Sequence, residues 1–248
     1  MPLFSIITVT YNAAGTIERT LQSVAMQTCK DYEHLIVDGA SKDGTVRLAQ
    51  HYQQLAAEGR VVIVSEPDKG LYDAMNKAIR LAKGKYLCFL NAGDKLHAAD
   101  TLVHVAEAAA DGVGIIYGNT DIVDDAGRFL RHRHLTPPDK LTWHSFRSGM
   151  LICHQTFYVR RQIAQLYDLS YRFSADFDWC IRCMKEGERQ GMANHYVNEV
   201  LCDYLSEGMT TQHHRASLKE RFRIMAKHYG LVSTTLRHFW FIVRAICR

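Results

Sequence analysis

Proline is scarce in this chain of 248 residues, which has only four, and that excludes collagen-like repeats, proline-rich linkers and most disordered compositions. Long apolar runs are missing as well. No stretch reaches the about 18 uninterrupted apolar residues of a bilayer-spanning helix, and no basic segment precedes the apolar run within Met1 to Thr10. Neither a membrane span nor secretion is therefore expected. No Gly-x-Gly-x-x-Gly follows a strand pattern and no Gly-x-x-x-x-Gly-Lys-Ser/Thr occurs, which argues against a dinucleotide dehydrogenase and a P-loop NTPase. Repeats and low-complexity segments are absent too. The seven cysteines are odd in number and scattered, and four of them sit inside apolar runs, where thiols pack as small hydrophobes. A reducing cytoplasm is the expected setting. Cys180 and Cys183 have C-x-x-C spacing but no second pair, so core packing outweighs zinc or redox chemistry.

What is present is an ordinary globular composition, 47% hydrophobic and 23% charged. The net charge of +4 is mild, so where the positive charge lies matters more than its total. The first half alternates short β-branched runs with helical patterns: Phe4 to Val9 then Thr16 to Met26, His34 to Val37 then Thr45 to Leu55, Val61 to Val64 then Leu71 to Leu81, and finally Tyr86 to Leu90. Strands that are nearly continuous in apolar residues and alternate with helices imply a parallel sheet covered on both faces. Such sheets bind ligands beyond the carboxyl ends of their strands. The suspects are therefore Thr10-Tyr11-Asn12, Asp38-Gly39-Ala40-Ser41, Ser65-Glu66-Pro67-Asp68 and Asn91-Ala92-Gly93-Asp94. Each could be a mere turn former. Four polar, acidic strand ends together point to a site.

Beyond Asp94 the pattern predicts a helix from about Asp100 to Ala110, a strand at Val113 to Gly118, and a hairpin of Thr120 to Val123 and Arg128 to Arg133 around Asp124-Asp125-Ala126-Gly127. The sheet should become mixed. Pro137-Pro138 leads into shorter elements, then a helix near Phe177 to Glu186 and a strand near Ala193 to Leu201. The tail reads as two helices broken by Gly230. At 100° per residue the second gathers Val232, Leu236, Phe239, Trp240, Val243 and Ile246 on one face beside Arg237, Arg244 and Arg248. A basic amphipathic helix of this kind either lies on an anionic membrane surface or docks on its own domain or a partner chain.

Without a P-loop, a diphosphate is usually neutralised by a divalent cation held by carboxylates, and Asp94, after an apolar strand and an Ala-Gly pair, is the best-placed one. Four ordered blocks now carry a resemblance. Ser5 to Ala13 (SIITVTYNA), Val37 to Thr45 (VDGASKDGT), Gly70 to Ile79 (GLYDAMNKAI) and Phe89 to Asp94 (FLNAGD) resemble those of family 2 glycosyltransferases. The likeness continues more weakly through His154-Gln155 and Ala175 to Trp179 and fades after about Tyr204. It implies an α/β fold of the GT-A kind: a Rossmann-type mixed sheet flanked by helices, in one domain over residues 1–205. That domain would join a nucleotide-binding half (1–95) to an acceptor half (96–205), and residues 206–248 would form a C-terminal helical extension.

By the same resemblance Thr8, Thr10 and Tyr11 would shape a base and ribose pocket, with Asp38 accepting a hydrogen bond from the base edge. A carboxylate at a strand end suits that role unaided. Asp68, Asp73 and Asn91 would assist the nucleotide sugar, although Asp73 equally suits the first turn of its helix. The chain departs from the family's Asp-x-Asp motif, leaving Asp94 as the single metal carboxylate. Mg²⁺ or Mn²⁺ fits an all-oxygen site, whereas zinc would want Cys or His. Asp176 matches the catalytic aspartate that would deprotonate the acceptor hydroxyl; an N-cap is the competing role. His154, Gln155 and Trp179 would lie near the acceptor. His132, His134, His213 and His214 could meet a metal or phosphate, but solvated histidines are commoner.

The implied activity is an inverting, metal-dependent transfer from a nucleotide-diphosphate sugar to a saccharide or lipid-linked saccharide hydroxyl. No nucleic acid would take part, and the setting would be surface-polysaccharide synthesis in the cytoplasm, with the tail helix touching the inner face of the membrane. Two alternatives stay open. A sugar nucleotidyltransferase would carry a basic glycine-rich loop early in the chain, and Asn12-Ala13-Ala14-Gly15 has no Lys or Arg. A non-catalytic nucleotide-sugar scaffold would have lost turnover with its reduced metal motif.

Overall fold

The computed structural model describes residues 1–206 and 214–246. Its strands are β1 (Phe4–Thr10), β2 (Tyr32–Asp38), β3 (Val61–Ser65), β4 (Tyr86–Phe89), β5 (Lys95–Leu96), β6 (Val113–Val123), β7 (Phe129–His132), β8 (Phe157–Arg160) and β9 (Ala193–Leu205). The helices are α1 (Ile17–Ala25), α2 (Thr45–Leu55), α3 (Leu71–Leu81), α4 (Thr101–Glu107), α5 (Ala175–Arg189), α6 (His214–Tyr229) and α7 (Leu231–Ile246). The strands join one mixed sheet in the order β3-β2-β1-β4-β8-β6-β9-β5, with β7 paired to β6.

Every residue of β1 and β2 is buried, so these strands carry no exposed face. Each fully buried Ile or Leu there contributes about 1.5–3 kcal/mol. Apolar residues at helical spacing, Ile17, Leu21 and Val24 on α1 and Tyr72, Met75 and Ala78 on α3, cover the two faces. Because β1 to β4 are parallel, all four release their loops at the same end. That edge holds the site.

The second half brings the antiparallel pairings. β8 inserts between β4 and β6 and runs against both, while β6 and β9 pair in parallel. The two runs expected around Gly118 are one strand, β6, with the break surviving only as register shifts near Asn119. Leu201 packs where a Cβ on Gly118 would stand, 2.6 Å away, so glycine is required there. β9 continues past the expected Leu201 because Cys202 to Leu205 pair with Thr120 to Val123.

Gly230, at φ 84°, separates α6 from α7 as expected. α6 is bolted to the start of α5. Glu220 accepts the backbone N–H groups of Arg172, Phe173 and Ser174 at 2.8, 2.8 and 2.9 Å. Asp178, wholly buried, is met by Arg182, by His228 Nε2 at 2.8 Å and by Lys227 at 3.4 Å. Burial pushes the Asp178 carboxyl up, and the bonds from His228 and Arg182 more than reverse this, to about 2. Cys180 and Cys183 are buried in the core, as their mid-helix position implied. No helix among the described residues is long and apolar enough to cross a membrane.

Candidate active site

A cavity of about 920 Å³ opens where the loops after β1 to β4 meet the end of β9 and the start of α5. Its size is that of a pocket for a ligand larger than a monosaccharide. Thr10, Tyr11, Asp68, Asn91, Asp94, His154, Gln155 and Asp176 all line it. Residues far apart in the chain thus share one space.

The loops after β1 and β2 are locked together. Ser41 Oγ accepts the Asn12 N–H at 2.8 Å, Asn12 Oδ1 accepts the Lys42 N–H at 2.9 Å, and Thr45 Oγ1 accepts the Ala13 N–H at 2.8 Å. Asn12 and Ala40 take left-handed backbone angles, φ 50° and 60°, a conformation held by these side-chain clamps. At their centre Asp38, 1% exposed, accepts from Thr10 Oγ1 at 3.0 Å, Ser65 Oγ at 2.7 Å, Ser41 N at 2.9 Å and the Ser41 hydroxyl. Burial raises the Asp38 carboxyl and these bonds overcome it, holding it below its usual value. Asp38 therefore organises the pocket wall from beneath, with its oxygens engaged by Thr10, Ser41 and Ser65. The carboxylate at that corner is Asp68. A Cβ on Gly39 would stand 2.5 Å from Asp68 Oδ2 and 3.3 Å from the Tyr11 ring, so glycine makes the room that Asp68 and the exposed Tyr11 occupy.

Two more nucleotide candidates miss the cavity. Thr8 shares a strand face with Thr10 but lies one pleat repeat, about 7 Å, deeper. It is fully buried against His34 Nε2 at 2.9 Å. Asp73 accepts the Lys69 N–H at 2.9 Å at the start of α3, the helix-terminal role, while Tyr72 and Met75 face the cavity.

Asp94 is 4% exposed and accepts from Gln155 Nε2 at 2.7 Å and from the Leu205 N–H at 2.9 Å. Burial pushes its carboxyl up to about 7, against the pull of these two bonds and of Arg19. Such a group wants a proton or a cation. The side-chain oxygen of Asn91, in the same loop, is buried without a hydrogen-bond partner. A carboxylate and an orphaned carbonyl oxygen beside one cavity fit a hard divalent cation. A separate cluster, His97, Asp121 and Asp203, keeps its ligand atoms within 4.8 Å of one another. Lys95 and His132 bond its carboxylates, and none of its residues lines the cavity.

Asp176 lines the same cavity from the other half. It is the second residue of α5, whose N-cap is Ser174, so Asp176 does not cap the helix. Tyr72 Oη donates to its Oδ1 at 3.3 Å. Burial, then the charge of Asp176, raises the Tyr72 phenol well above its usual value, keeping it a donor. The acceptor candidates divide. Gln155 is the direct partner of Asp94. His154 touches the cavity but stacks on Phe89 at 5.2 Å, bonds Tyr167 at 2.7 Å and is driven by burial to about 4, hence neutral. Trp179 is wholly buried, stacked on Tyr167 at 4.9 Å; one helical turn beyond Asp176 it turns into the core and cannot touch an acceptor. Sequence reasoning missed Tyr72, although it stands inside the third matched block, and it missed Arg133, Arg172 and Arg221, which line the same cavity.

A family model described as Glycosyl transferase family 2 matches residues 5–166. Among curated proteins, the PGL/p-HBAD biosynthesis glycosyltransferase Rv2957 of Mycobacterium tuberculosis (strain ATCC 25618 / H37Rv) is 36% identical over 208 residues, 82% of this chain and 77% of that protein. The putative teichuronic acid biosynthesis glycosyltransferase TuaG of Bacillus subtilis (strain 168) is 29% identical over 205 residues, 82% of this chain and 79% of its own. In shape, S. aureus TarS 1-349 in complex with UDP-GlcNAc superposes with a TM-score of 0.72 at 16% identity, covering 97% of this chain and 73% of that one. The mannosyltransferase PcManGT from Pyrobaculum calidifontis, in complex with GDP-Man and Mn²⁺, gives 0.64 at 18% identity, covering 95% and 74%. These two share the fold.

Proposed function

Because the chain belongs to glycosyl transferase family 2, we propose that it is an inverting enzyme that moves a sugar from a nucleotide-diphosphate sugar to an acceptor hydroxyl in the synthesis of a cell-surface glycan. One observation carries this reading: Asp94 and Asp176, from opposite halves of the chain, line one cavity together with the strand-end loops. The nucleotide lies over Tyr11, Thr10 and Asp68, with Asp38 bracing the wall. Asp176 takes the proton of the acceptor hydroxyl as that oxygen bonds to the anomeric carbon and the bond to the diphosphate breaks, releasing a nucleoside diphosphate. Tyr72 holds Asp176 in place. Asp94 and Asn91 would hold Mg²⁺ or Mn²⁺, whose charge, when bound, stabilises the departing diphosphate. Gln155 and the Leu205 N–H fix the Asp94 carboxylate.

The acceptor class follows from the tail. On α7 the order of exposure is inverted: Leu231, Val232, Leu236 and Phe239 are exposed while Thr234 is buried. Residues 214–248 hold eight of the thirty Lys and Arg and one of the twenty-six Asp and Glu, so this stretch is net +7 and the remainder net −3. An outward apolar stripe in a cationic segment suits an anionic bilayer surface, and therefore a lipid-linked saccharide acceptor. The relatives named for PGL/p-HBAD and teichuronic acid biosynthesis support a surface glycan as the product.

The decisive experiment incubates the protein with a panel of UDP- and GDP-sugars, with and without Mn²⁺. Release of nucleoside diphosphate is expected. Nucleoside monophosphate or pyrophosphate would turn the reading to a nucleotidyltransferase, and binding without release to a scaffold. A chain ending at Tyr229 should lose partition onto anionic liposomes.

A further inference from the structure

Three arginines line the cavity on the side of Asp176: Arg133 just after β7, Arg172 in the loop before α5, and Arg221 on α6. The transfer chemistry uses none of them. Among the described residues the arginines that form ion pairs are Arg128, Arg182 and Arg189, so these three face the cavity without a paired carboxylate. Arg133 spends its guanidinium on the neutral carbonyls of Leu135 at 2.9 Å, Leu151 at 3.0 Å and Met150 at 2.7 Å, bonds that fix its direction, and Asp176 is the carboxylate whose charge favours it. Burial, and after it repulsion from Arg221, lowers Arg133 below its usual value.

Arg221 is held as firmly. Its guanidinium carbon lies 5.9 Å from the centre of the Phe177 ring, and its Nε is buried with no hydrogen-bond partner. The neighbouring Glu220 is clamped by three backbone N–H groups at the start of α5, so α6 cannot carry Arg221 away from the cavity without breaking that clamp. Two guanidinium groups that repel each other, one with an unused donor, make the space beside them favourable to an anion in addition to Asp176. Guanidinium forks match the paired oxygens of a phosphate.

We propose that Arg133, Arg172 and Arg221 form an anion subsite on the acceptor side of the cleft, which takes the phosphate next to the reducing-end sugar of a phosphate-bearing acceptor. The inference leans on the proposed function for one point, that the donor diphosphate lies with Asp94 and the strand-end loops. The charge asymmetry of the chain supports it, since Arg221, from the cationic stretch 214–248, lines this cavity.

The test uses the full chain and two probes, UDP or GDP for the donor side and N-acetylglucosamine 1-phosphate for the subsite, each titrated calorimetrically. The sugar phosphate should bind in the presence of saturating nucleoside diphosphate. Arg221→Gln should weaken it about 10-fold or more while shifting nucleoside diphosphate affinity less than about twofold, and Arg221→Lys should recover part of the loss. Arg172→Gln, at an exposed position, should weaken the sugar phosphate in the same direction and carries the test if Arg221→Gln does not fold. The proposal is overturned if the wild type binds nucleoside diphosphate but not the sugar phosphate, or if the variants weaken the nucleoside diphosphate instead. Binding of the sugar phosphate without any nucleoside diphosphate binding would sink the donor reading and leave the subsite standing.

Discussion

The floor of the cavity and its wall are prepared in opposite ways. The floor, around Asp94, is sheet: the carboxylate is shut in between Gln155 and the end of β9, and burial drives it up to about 7. The wall, around Asp176, is two helices held by charge: α6 clamps α5 through Glu220 and through the network at Asp178, which is drawn down to about 2. A buried carboxylate without a cation is a receiver of positive charge. The other, partly exposed, accepts a hydrogen bond from the Tyr72 phenol at the cavity surface. The contrast supports the different work proposed for two aspartates that composition alone makes equal.

The largest test of that contrast is Asp176→Asn. Transfer should fall about 10²- to 10⁴-fold, the range of a general base, while UDP or GDP affinity measured by calorimetry stays within about twofold. Turnover near normal would erase the distinction between wall and floor. Next in size is Asp178→Ala. Removing one member of a buried ion network leaves Arg182 and His228 without their partner and typically costs about 3–5 kcal/mol, so the denaturant midpoint should drop sharply and the wall should loosen before the sheet.

Acid and base should strain the two regions at opposite ends of the pH scale. Asp178 has its folded value below the ordinary carboxylate, so its contribution is complete above about pH 4 and is lost as pH falls towards about 2. Asp94 has its folded value raised, so its contribution is complete below about pH 4 and is lost as pH climbs through about 7. Without a cation the protein should therefore lose on the order of a few kcal/mol between pH 4 and 8 at this one group, and Asp94→Asn should not. Mn²⁺ should raise the melting temperature more at pH 8 than at pH 5.5, and in the Asn variant at neither. An equal Mn²⁺ shift in both proteins would move the cation elsewhere.

The two regions also differed in how far their sequence could be read. In the floor half, strand and helix recur with short local connections, and the apolar period alone bounds α2 and α3 at the residues observed. The positions of Tyr11, Asp68 and Asp94 follow from the strand ends. Direction and saturation do not: nothing local says that Thr8 is one pleat too deep, or that Ser41, Ser65 and Thr10 consume the oxygens of Asp38. In the wall half the deciding contacts join residues 46 to 48 positions apart, as Glu220 does with Arg172 and Ser174, and no periodicity records such a pairing. Trp179 was misplaced for the same reason, since its side of α5 is set by packing on Tyr167 and Phe89. The arginines of the wall, Arg133, Arg172 and Arg221, come from three distant segments and meet only at the cavity.

The smallest expected effect sits where floor and wall touch. Tyr72 belongs to α3, an element of the first half, yet its hydroxyl reaches Asp176 of the second at 3.3 Å. Tyr72→Phe keeps the ring stacked on Tyr167, 5.4 Å between centroids, and deletes one long hydrogen bond. A bond of that kind is worth about 1 kcal/mol, which corresponds to a fall in kcat of less than about tenfold, with the nucleoside diphosphate affinity unmoved. The phenol orients the carboxylate, so its loss should fall on kcat and leave KM for the nucleotide sugar within about twofold. A Phe variant whose KM rises while kcat holds would make Tyr72 a packing or binding residue only.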